Sequence, residues 1–240
     1  MKRNRPIKAT VLALLSILLL SIGVAAPSSA APTKNGTGDT RAEAFWDKWG
    51  VAKKTQAELR KKAATGTFLD ADIAGSSPIS TDVLERDGSR STVQTFVDGS
   101  ISVSSIELPQ EAISAHGGVT TLAAIGQCTT YGGAGWASYQ NCLVAHETST
   151  ISISFRATYE KYQGANAQIP SHCCGSITTY GGVSVSDPIR NTYYVRDSGT
   201  YGQAVVTYTA AVKSWNGAYS EVIALSLRVS TNGSVSVTTY

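Results

Sequence analysis

Within Ser149-Thr-Ile-Ser-Ile-Ser-Phe-Arg-Ala-Thr-Tyr159, apolar and polar residues alternate without a break from Ile151 onward. Ile151, Ile153, Phe155, Ala157 and Tyr159 fall on one side; Ser152, Ser154, Arg156 and Thr158 fall on the other. Period-two alternation of this length predicts a strand with one face on a core and one in water. Just upstream lies a loop rich in Gly and aromatic residues, Cys128-Thr-Thr-Tyr-Gly-Gly-Ala-Gly-Trp-Ala-Ser-Tyr-Gln-Asn-Cys142. Its two cysteines can close it into a ring at the strand's base. In the chain-entropy picture, closing a loop of about fifteen residues stabilises by about 3 kcal/mol.

Outward from this stretch, the chain keeps the same character. Residues 92–97, Asp98-Gly99 and 100–106 predict a hairpin with a two-residue turn, opposing Phe96 to Ile101 and Gln94 to Val103. Ser100, Ser102 and Ser104 then form a wet face. Residues 108–127 carry no decisive pattern, and 163–175 read as a long loop. Further strands are expected at 176–180, 182–186, 191–196, 203–213, 219–230 and 234–240, with Asn216-Gly217 as another hairpin turn. Eight or so short strands without helical interruption predict a mainly β protein: an antiparallel β-sandwich over 91–240 with a short N-terminal helical segment.

The N-terminal third differs. Lys2, Arg3, Arg5 and Lys8 precede an apolar run at 11–25 and the small residues Ser28-Ser29-Ala30. This is the pattern of a secretory signal over 1–30, with an apolar run shorter than the roughly twenty residues that span a bilayer. A polar tail is expected at 31–39. Thr40 and Glu43 then form a capping box before Ala42, Phe45, Trp49, Ala52, Gln56, Leu59 and Ala63 at helical spacing. Gly50 divides the segment 40–66 into helices near 41–49 and 53–64, and Gly66 ends the second. Lys53, Lys54, Arg60, Lys61 and Lys62 make the second helix basic. Residues 67–90 predict an acidic linker whose Asp spacing is not that of a calcium loop.

Charge and cysteines bound the function. The chain holds 20 basic and 17 acidic residues. Its signal accounts for four of the basic ones, leaving 16 against 17, a net charge of −1. Nothing in that balance points to nucleic acid. Four cysteines in an exported chain imply disulfides. Three pairings are possible. Cys128 with Cys142 is the local one, although its companion bond between the neighbours Cys173 and Cys174 is awkward, because adjacent Cα atoms lie about 3.8 Å apart. The other two cross-link the aromatic loop to Cys173 and Cys174. No serine-hydrolase elbow, zinc-protease helix or phosphate loop is present, and no cofactor is implied. His146 and Glu147 are strand neighbours and point to opposite faces. His172-Cys173-Cys174 lacks the spacing for zinc. Glu107, Glu111, Glu147 and Glu160 are the carboxylates a glycosidase pair would draw on.

The best candidates for binding are aromatic. Tyr131, Trp136 and Tyr139 lie in the Gly-rich loop, Trp215 in a turn, and Tyr180, Tyr193 and Tyr194 between them. Flat rings on a rigid sandwich suit sugar rings or interfaces. Three stretches resemble a group of exported proteins of Gram-positive bacteria, chiefly actinobacteria, without assigned function. They are Trp49-Gly-Val-x-x-x-x-Gln56-x-x-Leu59 with Gly66; Phe96-Val-Asp-Gly-Ser100 with Ile106-Glu107; and Cys128 with Ser138-Tyr-x-Asn-Cys142 and Phe155-x-Ala-x-Tyr159. The resemblance implies export and a β-rich body, and no activity. Three functions follow as expectations: a non-catalytic binder of envelope or extracellular polysaccharide, an antibacterial or membrane-active protein using the basic helix, and a carboxylate-dependent hydrolase.

Overall fold

The computed structural model describes residues 36–111, 127–163, 167–185, 189–195, 203–230 and 233–239, all within the compact unit Asn35–Tyr240. Residues 1–30, read from the sequence as a secretory signal, and most of the undecided stretch 108–127 lie outside the described residues. Helix α1 spans Gly36–Lys48 and α2 Lys53–Ala64. The first begins four residues before Thr40, through a Gly-Thr-Gly turn of weak helix formers that hid its start. Between them Gly50 takes a φ of 75°, which a side chain resists. The buried Gln56 clamps the turn, donating to the Val51 carbonyl at 2.9 Å and to Asp47 at 2.8 Å.

Thirteen strands follow among the described residues. One sheet holds β1 (Ser80–Arg86), β2 (Ser89–Thr95), β3 (Ile101–Glu107), β4 (Gln110–Glu111), β5 (Thr129–Gly133), β6 (Trp136–Glu147), β7 (Ile151–Tyr162) and β8 (Gln168–Thr179). Its long order is β1-β2-β3-β6-β7-β8. β5 shares one edge of β6 with β3, and β4 adds to β5 in parallel. The second sheet holds β9 (Val183–Val185), β10 (Arg190–Val195), β11 (Gln203–Ser214), β12 (Ser220–Ser230) and β13 (Val235–Thr239). Its order is β10-β11-β12-β13, with β9 also on β11.

The alternation is realised from Ile151 onward, while Ser149 and Thr150 are buried in the bend before β7. Ile151, Ile153, Phe155, Ala157 and Tyr159 are buried, and they meet Val206, Tyr208, Leu225, Leu227 and Val229 of the second sheet. Phe155 stacks on Tyr208 with ring centroids 4.4 Å apart. The fold is therefore an antiparallel β-sandwich. The helix pair covers the outer face of β2 and β3, where Phe45, Trp46, Leu59 and Leu69 pack on Val93, Ile101 and Val103.

Four details differ from the sequence reading. The stretch 67–90 contains a 3-10 turn at Asp70–Asp72 and the strand β1, exposed at all seven positions and so without alternation. The β2–β3 register is shifted by one, opposing Thr95 to Ile101 and Val93 to Val103. Phe96 N–H donates to the Ser100 carbonyl and Gly99 N–H to that of Phe96, both at 2.9 Å, which makes a three-residue loop. Ser100, Ser102 and Ser104 are buried rather than wet, because their face turns into the sandwich while helices cover the other. Finally, 163–175 is largely strand: Pro170 and two register shifts conceal β8, which tolerates them as an edge strand.

Candidate functional site

Where β6 changes partner from β5 to β3, a bulge inserts one extra residue between Tyr139 and Cys142. Asn141 sits there at φ 57°, a left-handed conformation that Asn tolerates. One side chain closes the junction. Glu107 accepts from the backbone N–H of Cys128 at 3.1 Å and of Leu143 at 3.0 Å, and from Arg156 at 3.3 Å. Arg156 also donates to the Asn141 carbonyl at 2.7 Å. Beneath it the Cys128–Cys142 disulfide is fully buried, so the β5–β6 hairpin is held at its root from both sides.

This anchoring sorts the aromatic residues. Tyr139 opposes Tyr159 on the inner face and stacks on it at 4.6 Å, with the Lys161 ammonium 4.8 Å from its centroid. Trp136 opposes Tyr162 and Gly133, while Tyr131 opposes Ser138, which in turn opposes Glu160. Directly opposed residues share a face, so Tyr131, Trp136, Glu160 and Tyr162 stand together on the outer side. Tyr131 and Trp136 are 47% and 43% exposed. The indole lies over Gly133, where a Cβ would stand 3.0 Å from Nε1. Tyr162 donates its hydroxyl to Glu160 at 2.5 Å, which raises the phenol's pKa above its usual value. The same face continues along β7 and β8 through Gln168, Ser171 and Arg156.

Of the four aromatic candidates, the structure brings together Tyr131 and Trp136 only. Tyr139 belongs to the inner stack. Trp215 lies in the β11–β12 turn at the far end of the sandwich, packed on Gly182 and 49% exposed. Tyr180 carries the Arg41 guanidinium 3.6 Å above its ring and so serves helix docking; the side chains of Tyr193 and Tyr194 lie outside the described residues. Sequence reasoning missed Tyr162 and the role of Glu160. Extending the alternation of β7 two steps past Thr158 would have placed both on the outer face.

The remaining candidates are committed elsewhere. Glu147 pairs with Arg41 at 3.6 Å on the outer face, while His146 is buried on the inner one, as their adjacency required. The side chain of Glu111 lies outside the described residues. In the basic helix, Lys53 pairs with Asp47 at 2.6 Å, Lys61 with Glu58 at 2.9 Å, and Lys62 with Asp70 and Asp98 at 2.6 and 2.9 Å. Arg60 pairs with Glu43. Among the described residues no group of three His, Cys, Asp or Glu side chains is placed to hold a metal ion.

Cys173 and Cys174 are bonded to each other despite the awkward spacing, with Cys174 at φ 62° in a β8 register shift. Both are exposed, in contrast to Cys128 and Cys142 at 0%. Mild reduction followed by alkylation is expected to label Cys173 and Cys174 and to spare the other pair, as peptide mass mapping will record. Equal labelling of all four would contradict this placement.

Comparison with protein-family models, with curated proteins and with solved structures finds no match.

Proposed function

We propose that this chain is an exported, non-catalytic β-sandwich protein that binds envelope or extracellular polysaccharide through the outer face of β5, β6 and β7. One observation carries the reading: Tyr131, Trp136 and Tyr162 share one face of β5, β6 and β7 beside the Glu160 carboxylate. Aromatic faces cover the C–H side of a sugar ring, and a neighbouring carboxylate and amide bond its hydroxyls. The strip from Trp136 to Arg156 runs about 20 Å at the usual strand rise, enough for an extended chain rather than one ring. Export is supported by the N-terminal signal pattern and by the two disulfides. The internal pairing of Lys53, Lys61 and Lys62 favours a binding module over a membrane-active arm.

Trp136→Ala is expected to weaken polysaccharide binding about tenfold or more, the scale of a central aromatic anchor. Trp136→Phe should retain part of the affinity, and Trp215→Ala should leave it unchanged. Affinity gels and depletion isotherms measure all three. Parent-like binding by Trp136→Ala and Tyr162→Ala together would sink the proposal.

A further inference from the structure

A cavity of about 160 Å³ lies inside the sandwich, under the turn that follows the helices. Its walls include Asp72, Gln94, Phe96, Ser102, His146 and Ile223, and it reaches the exposed backbone of Ala74 and Gly75. Asp72 is 2% exposed and accepts from Thr148 Oγ1 at 2.5 Å and Thr150 Oγ1 at 2.7 Å. It makes no ion pair with any described residue. A buried carboxylate without a cation is the exception among folded proteins, where buried charges are paired. The other polar walls add acceptors. Gln94 Oε1 takes the Ser102 hydroxyl at 3.3 Å, and His146 Nδ1 lies 3.0 Å from Ser104 Oγ. Burial lowers the His146 pKa to about 4, so at neutral pH the ring has one unprotonated nitrogen and no positive charge to offer Asp72. Phe96 and Ile223 supply the apolar part of the wall.

We infer that this cavity binds a small primary ammonium ion, its NH₃⁺ directed at Asp72 and its apolar body against Phe96 and Ile223. Three N–H donors on one cationic nitrogen match a carboxylate, a neutral imidazole and a carboxamide oxygen, and the cation supplies the charge that Asp72 lacks. A cavity of this volume takes a body of roughly six non-hydrogen atoms. The site opens on the opposite side of the sheet from the aromatic strip and does not depend on it.

The test is an amide-resolved NMR titration of the full-length protein at neutral pH with benzylammonium and n-butylammonium chloride. Benzyl alcohol and potassium chloride at matched ionic strength are the controls. Saturable shifts at Asp72, Gln94, Ser102 and His146 are expected with the two ammonium ions alone. Asp72→Asn should weaken binding about tenfold or more, as the loss of a charge-assisted hydrogen bond does. Thr239→Phe, which fills the cavity from the edge strand while leaving Asp72 in place, should also block binding and guards against an Asp72 variant that fails to fold. The inference is overturned if no saturable shift occurs, if benzyl alcohol or potassium produces the same shifts, or if Thr239→Phe binds like the parent.

Discussion

Glu107→Ala is expected to lower the unfolding free energy by about 2–4 kcal/mol, the scale for stranding hydrogen-bond donors around a lost carboxylate. The substitution removes the only described side-chain acceptor of the Cys128 and Leu143 N–H groups and the carboxylate partner of Arg156. Those donors line a seam where neither β3 nor β5 can complete the ladder of β6. Glu107 is 21% exposed, so water recovers part of the loss and the lower half of the range is favoured. Glu107→Gln keeps acceptor capacity but loses the charge, and should lie between the parent and the alanine variant. Urea unfolding at neutral pH measures both. A stability change below about 1 kcal/mol for Glu107→Ala would mean that the disulfide alone holds the seam.

The second large effect concerns pH, because two buried groups titrate in opposition. Burial raises the Asp72 pKa to about 6, only partly offset by the hydroxyls of Thr148 and Thr150. Its folded pKa exceeds its unfolded value, so ionised Asp72 opposes folding above about pH 6, and that penalty fades as pH falls toward 4. His146 behaves in reverse. Burial lowers its pKa to about 4, so the stability it contributes is full above about pH 6.5 and is lost as pH falls through that window. Each group is worth about 3 kcal/mol on the usual conversion of pKa shift to free energy, and the two nearly cancel. Parent stability is therefore expected to stay flat for these groups between about pH 6.5 and 4. Asp72→Asn should lose about 3 kcal/mol on acidification across that interval, and His146→Gln should gain a similar amount. Parallel profiles for the two variants would contradict the placement of both side chains.

The fold was legible where one face of an element is buried and the other is not. β7 shows this in its alternation, and the helix pair in its spacing around Gly50. Legibility fails where both faces are treated alike. β1 is exposed throughout and reads as linker, whereas β3 is covered on both sides and its serines read as wet. The β2–β3 register slipped because Asp98 does more than turn the chain. Its carboxylate also accepts from Asp70 N–H at 3.0 Å, from Ser100 N–H at 2.9 Å and from Lys62, ties across sequence that no local pattern encodes.

The three short stretches singled out in the sequence contain much of this framework. Gln56 clamps the helix turn, Asp98 pins the loop, Glu107 and Asn141 form the bulge seam, and Phe155 and Tyr159 fill the core. They hold much of the fold together and do not include Tyr131, Trp136, Glu160 or Tyr162. The site itself was half legible. The Gly-rich aromatic loop announced itself, but the bulge decides which rings share a face, and a bulge leaves no mark in composition.

Co-sedimentation of residues 31–240 with purified cell walls, insoluble polysaccharides and lipid vesicles, at low and high salt, tests the binding reading most directly. Aromatic stacking is insensitive to screening, whereas attraction between a basic helix and an anionic surface is not. Salt-resistant sedimentation with a polysaccharide, lost on Trp136→Ala, is the expected result. Sedimentation with vesicles alone, abolished by salt, would contradict it and assign the function to the helical segment.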